Sequence, residues 1–125
     1  MIVLDSSALL TIVKKERGAD IVEAAFGDAA ISAVNVSEVL SKVWDWGLDA
    51  NTYIGDLTRL RLEVVDFDFS RAALAASLRA TTRSFGLSLG DRACLALAVE
   101  RDCPAMTADR NWAKLNIGVP IQLIR

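Results

Sequence analysis

The chain of 125 residues carries 14 Lys+Arg against 16 Asp+Glu, with two Cys and no His. Without histidine there is no Ser-His-Asp triad, no Cys-His pair, no His-pair ribonuclease and no His-ligated zinc, so catalysis falls to carboxylates, hydroxyls, lysines, a thiol or a bound metal ion. The length suits one domain, 53% apolar residues argue against disorder, and a formal charge of −2 gives no global attraction to nucleic acid.

Met1-Ile2-Val3-Leu4-Asp5 lacks the features of a signal peptide, and the longest uncharged apolar run, Ala93 to Val99, is too short to cross a bilayer. The sequence reads as a soluble, cytosolic protein. Cys94 and Cys103 form neither a redox Cys-x-x-Cys nor a zinc knuckle; their spacing sets them on opposite sides of a helix as buried or inert thiols.

Met1 to Leu4 is a short β-rich run closed by Asp5, and Ser6-Ser7 lead into an apolar helical stretch from Ala8 to Val13. Gly18 to Phe26 has helical register, and Ala29 to Ser32 follows as a small buried strand. A longer helix runs from about Val34 to Trp46, with Val36, Val39, Leu40, Val43 and Trp44 on one apolar face and Gly47 as its stop. Ala50 to Leu60 is helical, Glu63 to Phe67 β-like, Ser70 to Ser84 helical, and Ser88 opens a helix that ends near Asp102. Pro104 and Pro120 mark the starts of two last strands, Pro104 to Thr107 and Pro120 to Ile124.

Apolar strands alternating with helices predict a parallel sheet covered on both faces, a three-layer α/β sandwich in a single domain spanning residues 1–125. In such sheets the functional crevice lies outside the carboxyl ends of the strands. Four acids fall there: Asp5 after the first strand, Glu38 in the first turns of the helix after Ala29–Ser32, Asp91 in the first turn of the Ser88 helix, and Asp109 after Pro104–Thr107.

Each acid alone has a structural explanation. Asp5 and Asp109 can cap the helices that follow, and Glu38 three after Asn35, like Asp91 three after Ser88, has capping-box spacing. Gathered at one sheet edge without enough Lys or Arg to neutralise them, however, the four carboxylates repel. Two unit charges 4 Å apart cost about 4 kcal/mol at an effective dielectric of 20. Oxygen-only ligation suits hard Mg²⁺ or Mn²⁺, and the helix N-termini are expected to keep Glu38 and Asp91 ionised. An ion held this way activates water against a phosphodiester, leaving a 5′-phosphate and a 3′-hydroxyl.

Ile2-Val3-Leu4-Asp5-Ser6-Ser7-Ala8-Leu9, Ile31-Ser32-Ala33-Val34-Asn35-Val36-Ser37-Glu38, the stretch from Leu87 through Asp91 to Ala98, and Thr107-Ala108-Asp109-Arg110-Asn111-Trp112 together resemble the PIN-domain ribonucleases, specifically VapC-type toxins of bacterial toxin–antitoxin systems. The resemblance spans essentially the whole chain. It implies a metal-dependent endoribonuclease with Asp5, Glu38, Asp91 and Asp109 as its catalytic, metal-binding acids, supported by Ser7, Thr107 and Asn111. It further implies Mg²⁺ or Mn²⁺ as cofactor, an RNA substrate and a homodimer in a higher toxin–antitoxin assembly. The VapB-type antitoxin would lie across the groove and offer the acids a basic side chain, with operator DNA engaged only through it.

Arg92 and Arg110 directly follow site acids and are candidates for holding phosphates, or for pairing with those acids. Lys14, Lys15, Lys42 and Arg83 are candidates for the groove rim. Trp44 and Trp46 point to different sides of their helix, so one is expected in the core and the other exposed or at an interface. Two other readings keep this fold: an RNA-processing nuclease without an antitoxin, and a non-catalytic acidic-pocket module of the receiver-like kind.

Overall fold

The structure, a computed structural model, describes residues 1–125. Its elements are β1 (Ile2–Leu4), α1 (Ser6–Val13), α2 (Ala19–Ala25), β2 (Ala29–Ser32), α3 (Ala33–Asp45), α4 (Ala50–Arg59), β3 (Leu62–Val65), α5 (Phe69–Ser77), α6 (Arg79–Thr82), α7 (Leu89–Arg101), β4 (Ala105–Thr107) and β5 (Ile121–Leu123). The five strands form one all-parallel sheet in the order β3-β2-β1-β4-β5. The chain winds from β1 towards β3 on one side and returns to β4 and β5 on the other, so the order reverses between β1 and β4. Crevices in open α/β sheets form at such a switch point.

Alternation along the strands divides the core in two. Val3, Ala30 and Ala105 face a cluster with Cys94, Leu95, Leu97, Ala98 and Trp112, whereas Leu4, Ala29, Ile31 and Met106 face one with Ala8, Leu9, Val22 and Val39. Period-two side chains of central strands thus feed both covering layers, giving the expected three-layer sandwich. The outer strands are less apolar: Glu63 and Val64 of β3, and Gln122 and Leu123 of β5, are exposed at the sheet's edges. Pro104 and Pro120 sit just ahead of β4 and β5, where only their carbonyls are needed. These accept from Val3 at 2.9 Å and from Ala105 at 3.0 Å.

Several expected boundaries shift for local reasons. Helix α3 begins one residue earlier than expected because Ser32 is its N-cap, accepting from the Val34 amide at 3.2 Å, and it closes at Gly47, whose φ of 74° needs no Cβ. The single helix expected over Ser70 to Ser84 is broken into α5, α6 and a 3₁₀ turn at Arg83–Phe85. The Ser77 hydroxyl donates to the Leu74 carbonyl at 2.6 Å and that of Thr82 to the Leu78 carbonyl at 2.7 Å, side-chain bonds that compete with the helical ladder.

Helix α7 is buried along nearly its whole length because it packs on β1, β2, β4, α3 and α5. Cys94 lies within it and Cys103 beyond its end, and both enter the same apolar cluster instead of taking opposite sides of a helix. Burial pushes the Cys94 thiol well up, as expected of an inert side chain. Trp44 and Trp46 are 54% and 40% exposed, so neither is the core residue expected of the pair. The inward stripe of α3 is Asn35, Val39 and Val43, which leaves both indoles outside it. No helix is long and apolar enough to cross a membrane.

Candidate active site

Asp5 ends β1 beside the switch point and is buried. Although it occupies the N-cap position of α1, its side chain makes no capping bond. Instead its Oδ2 accepts from the Ser7 hydroxyl at 2.7 Å and from the Thr107 hydroxyl at 2.9 Å. The two hydroxyl oxygens in turn accept from the amides of Ala108 at 2.9 Å and Asp109 at 3.0 Å. The two hydroxyls also stand 3.1 Å apart, where either can donate to the other, and β1 is tied to the end of β4 through the site itself. Neither hydroxyl uses Oδ1. Burial pushes the Asp5 carboxyl up to about 6, partly offset by Ser7 and Thr107, with the Asp91 charge raising it further.

Glu38 is in the second turn of α3, because the helix starts after Ser32 and Asn35 takes the N3 position. The expected Asn35–Glu38 capping box is therefore not formed. The buried Asn35 carboxamide instead donates from Nδ2 to Glu38 Oε1 at 2.9 Å, to Ser6 Oγ at 3.1 Å and to the Gly90 carbonyl at 3.0 Å. The Ser6 hydroxyl also donates to Glu38 Oε1. The Glu38 carboxyl group lies against Gly90, where any Cβ would overlap it.

Asp91 forms the expected capping box at the start of α7: the Ser88 amide donates to its Oδ2 at 3.0 Å, and its own amide donates to Ser88 Oγ at 3.1 Å. Its carboxyl is nevertheless raised, chiefly by burial and further by Glu38 and Asp109, against the lowering effect of Ser88. The helix N-terminus does not overcome desolvation here. Asp109 caps the 3₁₀ turn Arg110–Lys114, its Oδ1 accepting from the Asn111 amide at 2.9 Å.

All four acids share one pattern: one carboxylate oxygen is held by neutral N–H or O–H donors, and none of the four is in the chain's salt bridges. The expected convergence is incomplete, since no three acidic or thiol side chains stand close enough to share an ion. Capping draws the Asp91 and Asp109 carboxylates towards their own backbones. Asp91 still feels Glu38 and Asp109, and Asp5 feels Asp91. An all-oxygen donor set whose mutual repulsion no Lys or Arg offsets fits a hard divalent cation.

The remaining candidates divide. Asn111 contributes its backbone amide to Asp109, while its exposed side chain makes no hydrogen bond. Arg92 turns away from Asp91 and braces α5, donating to the Ala75 carbonyl at 3.2 Å, with its Nε buried and unpartnered. Arg110 is exposed next to Asp109 and pairs with no acid. An open groove of about 570 Å³ runs beside Glu38, lined by Ser37, Ser41, Lys42, Ser88 and Leu89. Lys42 thus lines this groove, whereas Lys14 pairs with Glu16 at 3.5 Å and lies over the Trp46 ring, and Lys15 lines an apolar groove with Leu9, Ile12 and Phe26. Arg83 is exposed in the 3₁₀ turn that precedes α7. Sequence reasoning missed Ser6, Asn35 and Gly90. The available signals were an Asn on an otherwise apolar stripe and a glycine inside a helix.

The fold is thus an all-parallel α/β sandwich with carboxylates free of cationic partners about its switch point, and sequence and structure comparisons give its family. The sequence profile of the PIN domain matches residues 2–118, and the chain belongs to that family. PIN domains are nucleases that generally use divalent metal ions. The fold is similar to that of a toxin–antitoxin complex chain from Klebsiella pneumoniae (TM-score 0.77, 19% identity, 100% of this chain and 98% of that one). It is similar also to a chain of VapBC2 from Rickettsia felis bound to a promoter DNA fragment (0.75, 18%, 98% and 98%) and to one of FitAcB from Neisseria gonorrhoeae (0.73, 20%, 99% and 98%). No curated protein sequence matches the chain.

Proposed function

We propose that this protein is a Mg²⁺- or Mn²⁺-dependent endoribonuclease and the toxin of a type II toxin–antitoxin pair. The observation that carries the reading is the acidic quartet: Asp5, Glu38, Asp91 and Asp109 are each held through one oxygen by neutral donors and left without a cationic partner. These four would hold the cation. When bound, it supplies positive charge against the phosphodiester oxygens and makes water acidic enough to attack at neutral pH.

The chain's own residues do the positioning. Ser7 and Thr107 engage Asp5 Oδ2 and leave Oδ1 for the cation, and Ser6 and Asn35 do the same at Oε1 of Glu38, leaving Oε2. With its carboxyl pushed up to about 6, Asp5 is largely ionised at neutral pH, as ligation requires. Arg110, and Lys42 on the groove wall, offer cationic groups to the backbone phosphates. Setting the four acids aside turns the formal charge from −2 to +2, so the apparent bias against nucleic acid resides in the site.

The similar chains come from a toxin–antitoxin complex and from VapBC2 with promoter DNA. By extension, we assign this chain a VapB-type antitoxin, homodimerisation, operator DNA contact through the antitoxin alone, and a cytoplasmic location. The receiver-like alternative is disfavoured by the strand order, since receiver sheets run 2-1-3-4-5 and this one runs β3-β2-β1-β4-β5.

The test is expression of the chain and of Asp5→Asn in cells, with 5′ ends mapped across total RNA. The reading requires growth arrest and new 5′-phosphate ends from the wild type alone. The same ends in both, or none in either, would overturn it.

A further inference from the structure

The Asn35 side chain is fully buried on the inward stripe of α3, a place where a helix ordinarily puts an apolar residue. Its two amide protons face three acceptors on three elements: Ser6 Oγ on α1, Glu38 Oε1 one turn along α3, and the Gly90 carbonyl in the first turn of α7. Its Oδ1 is buried with no partner at all. Rotating the amide would turn Oδ1 towards the Glu38 oxygen and the Gly90 carbonyl, acceptor against acceptor, so the network fixes the orientation. A buried amide with a crowded donor and an orphaned acceptor is a poor solution for stability alone.

The arrangement serves Glu38 instead. Oε1 receives two donors, from Ser6 and Asn35, while the carboxyl group lies on the bare backbone of Gly90. The same amide that holds Glu38 also holds the carbonyl immediately before Asp91. Position 35 therefore couples the acid of α3 to the acid of α7.

We propose that Asn35 is a positioning residue for Glu38: its carboxamide locks the carboxylate to the first turn of α7, so that Oε2 is presented at a set position relative to Asp91. The inference rests on the reading of Glu38 as a metal-holding acid. Neutral donors that orient a ligating side chain typically contribute about 10–100-fold in metal affinity, and Asn35 acts on the cation only through Glu38.

The test is a double-mutant cycle on Mn²⁺ binding, read by electron paramagnetic resonance, for wild type, Asn35→Leu, Glu38→Gln and the double variant, with thermal unfolding as a check on folding. Asn35→Leu keeps the branched shape, though it is bulkier, and removes the donors; Asn35→Ala substitutes for it should the leucine not fold. Loss of Asn35 is expected to weaken Mn²⁺ binding about tenfold in the wild-type background and to have no further effect once Glu38 is Gln. Equal weakening in both backgrounds, or none in either, would overturn the proposal. RNA cleavage is measured in parallel. A wild type that binds Mn²⁺ but leaves RNA intact overturns the nuclease reading and not the cycle, whereas a wild type that binds no Mn²⁺ overturns both.

Discussion

The Glu38 carboxylate rests directly on the backbone of Gly90, on the helix that carries Asp91, and a methyl group at position 90 would occupy the space the carboxylate now fills. In most exposed helix positions Gly→Ala stabilises by up to about 1 kcal/mol. Here the new Cβ displaces a carboxylate that Ser6 and the buried Asn35 hold, leaving those donors short of an acceptor, so Gly90→Ala should lose about 1–3 kcal/mol of stability where an exposed helix site would gain. It should also lower RNA cleavage at least about tenfold, because Glu38 loses its seat. Unfolding melts and cleavage rates on the same preparation separate the two effects.

Asp5 predicts an unusual pH dependence of stability. Its carboxyl is pushed up to about 6 in the folded chain, against about 4 when unfolded. The folded state therefore holds this proton more tightly. The contribution to stability is full below pH 4 and is lost as pH rises through 6, a difference on the order of 2–3 kcal/mol. Metal-free Asp5→Asn, with no charge to bury, should melt higher than wild type at pH 7.5, and the gain should shrink towards pH 5. Melting curves at both pH values check this, and a destabilised Asp5→Asn at pH 7.5 would contradict it.

The hydroxyl pair on Asp5 Oδ2 can be tested the same way. Ser7 and Thr107 lower the carboxyl against the effect of burial, so Thr107→Val should move its titration to higher pH. A hydrogen bond to a charged group is worth about 1.5–3 kcal/mol, which corresponds to roughly one to two pH units. Carbon-13 titration of the Asp5 carboxyl in metal-free protein measures it directly, with a midpoint near 6 expected for the wild type.

Much of the fold was legible because its signals are local. Runs such as Ile2-Val3-Leu4 and Ala29–Ser32 end in Asp or Ser, helices follow at once, and the prolines sit where a strand needs only a carbonyl. The acids were legible for the same reason: Asp5 and Asp109 follow their strands in sequence, and Asp91 stands at capping distance from Ser88. What could not be read were choices made by tertiary packing. Ser32 rather than a later residue caps α3, which places Asn35 inside and turns it towards Ser6, 29 residues away, and Gly90, 55 residues away. Arg92 offered no local sign that it would brace α5, and the Ser and Thr hydroxyls that break the helix after Ser77 compete with an intrinsically helical pattern. The exposure of both Trp44 and Trp46 likewise reflects the inward stripe of α3, which runs through Asn35, Val39 and Val43 and leaves both indoles outside it.

A divalent cation should stabilise the folded protein through the acids. Binding adds RT ln(1 + [L]/Kd), about 2.7 kcal/mol at a hundredfold excess over Kd. Mn²⁺ should therefore raise the melting temperature of the wild type and have little effect on Asp5→Asn/Asp91→Asn. An equal rise in both would place the ion elsewhere.

The most direct test of the central claim is cleavage of purified RNA by wild type, Asp5→Asn and Asp91→Asn in Mg²⁺ or Mn²⁺, in Ca²⁺, and with excess chelator. Cleavage to 5′-phosphate products is expected from the wild type alone, lost on chelation, restored by Mg²⁺ or Mn²⁺ and not by Ca²⁺, whose looser coordination positions water poorly. Undiminished cleavage by both variants, or by the wild type in chelator, would contradict the claim.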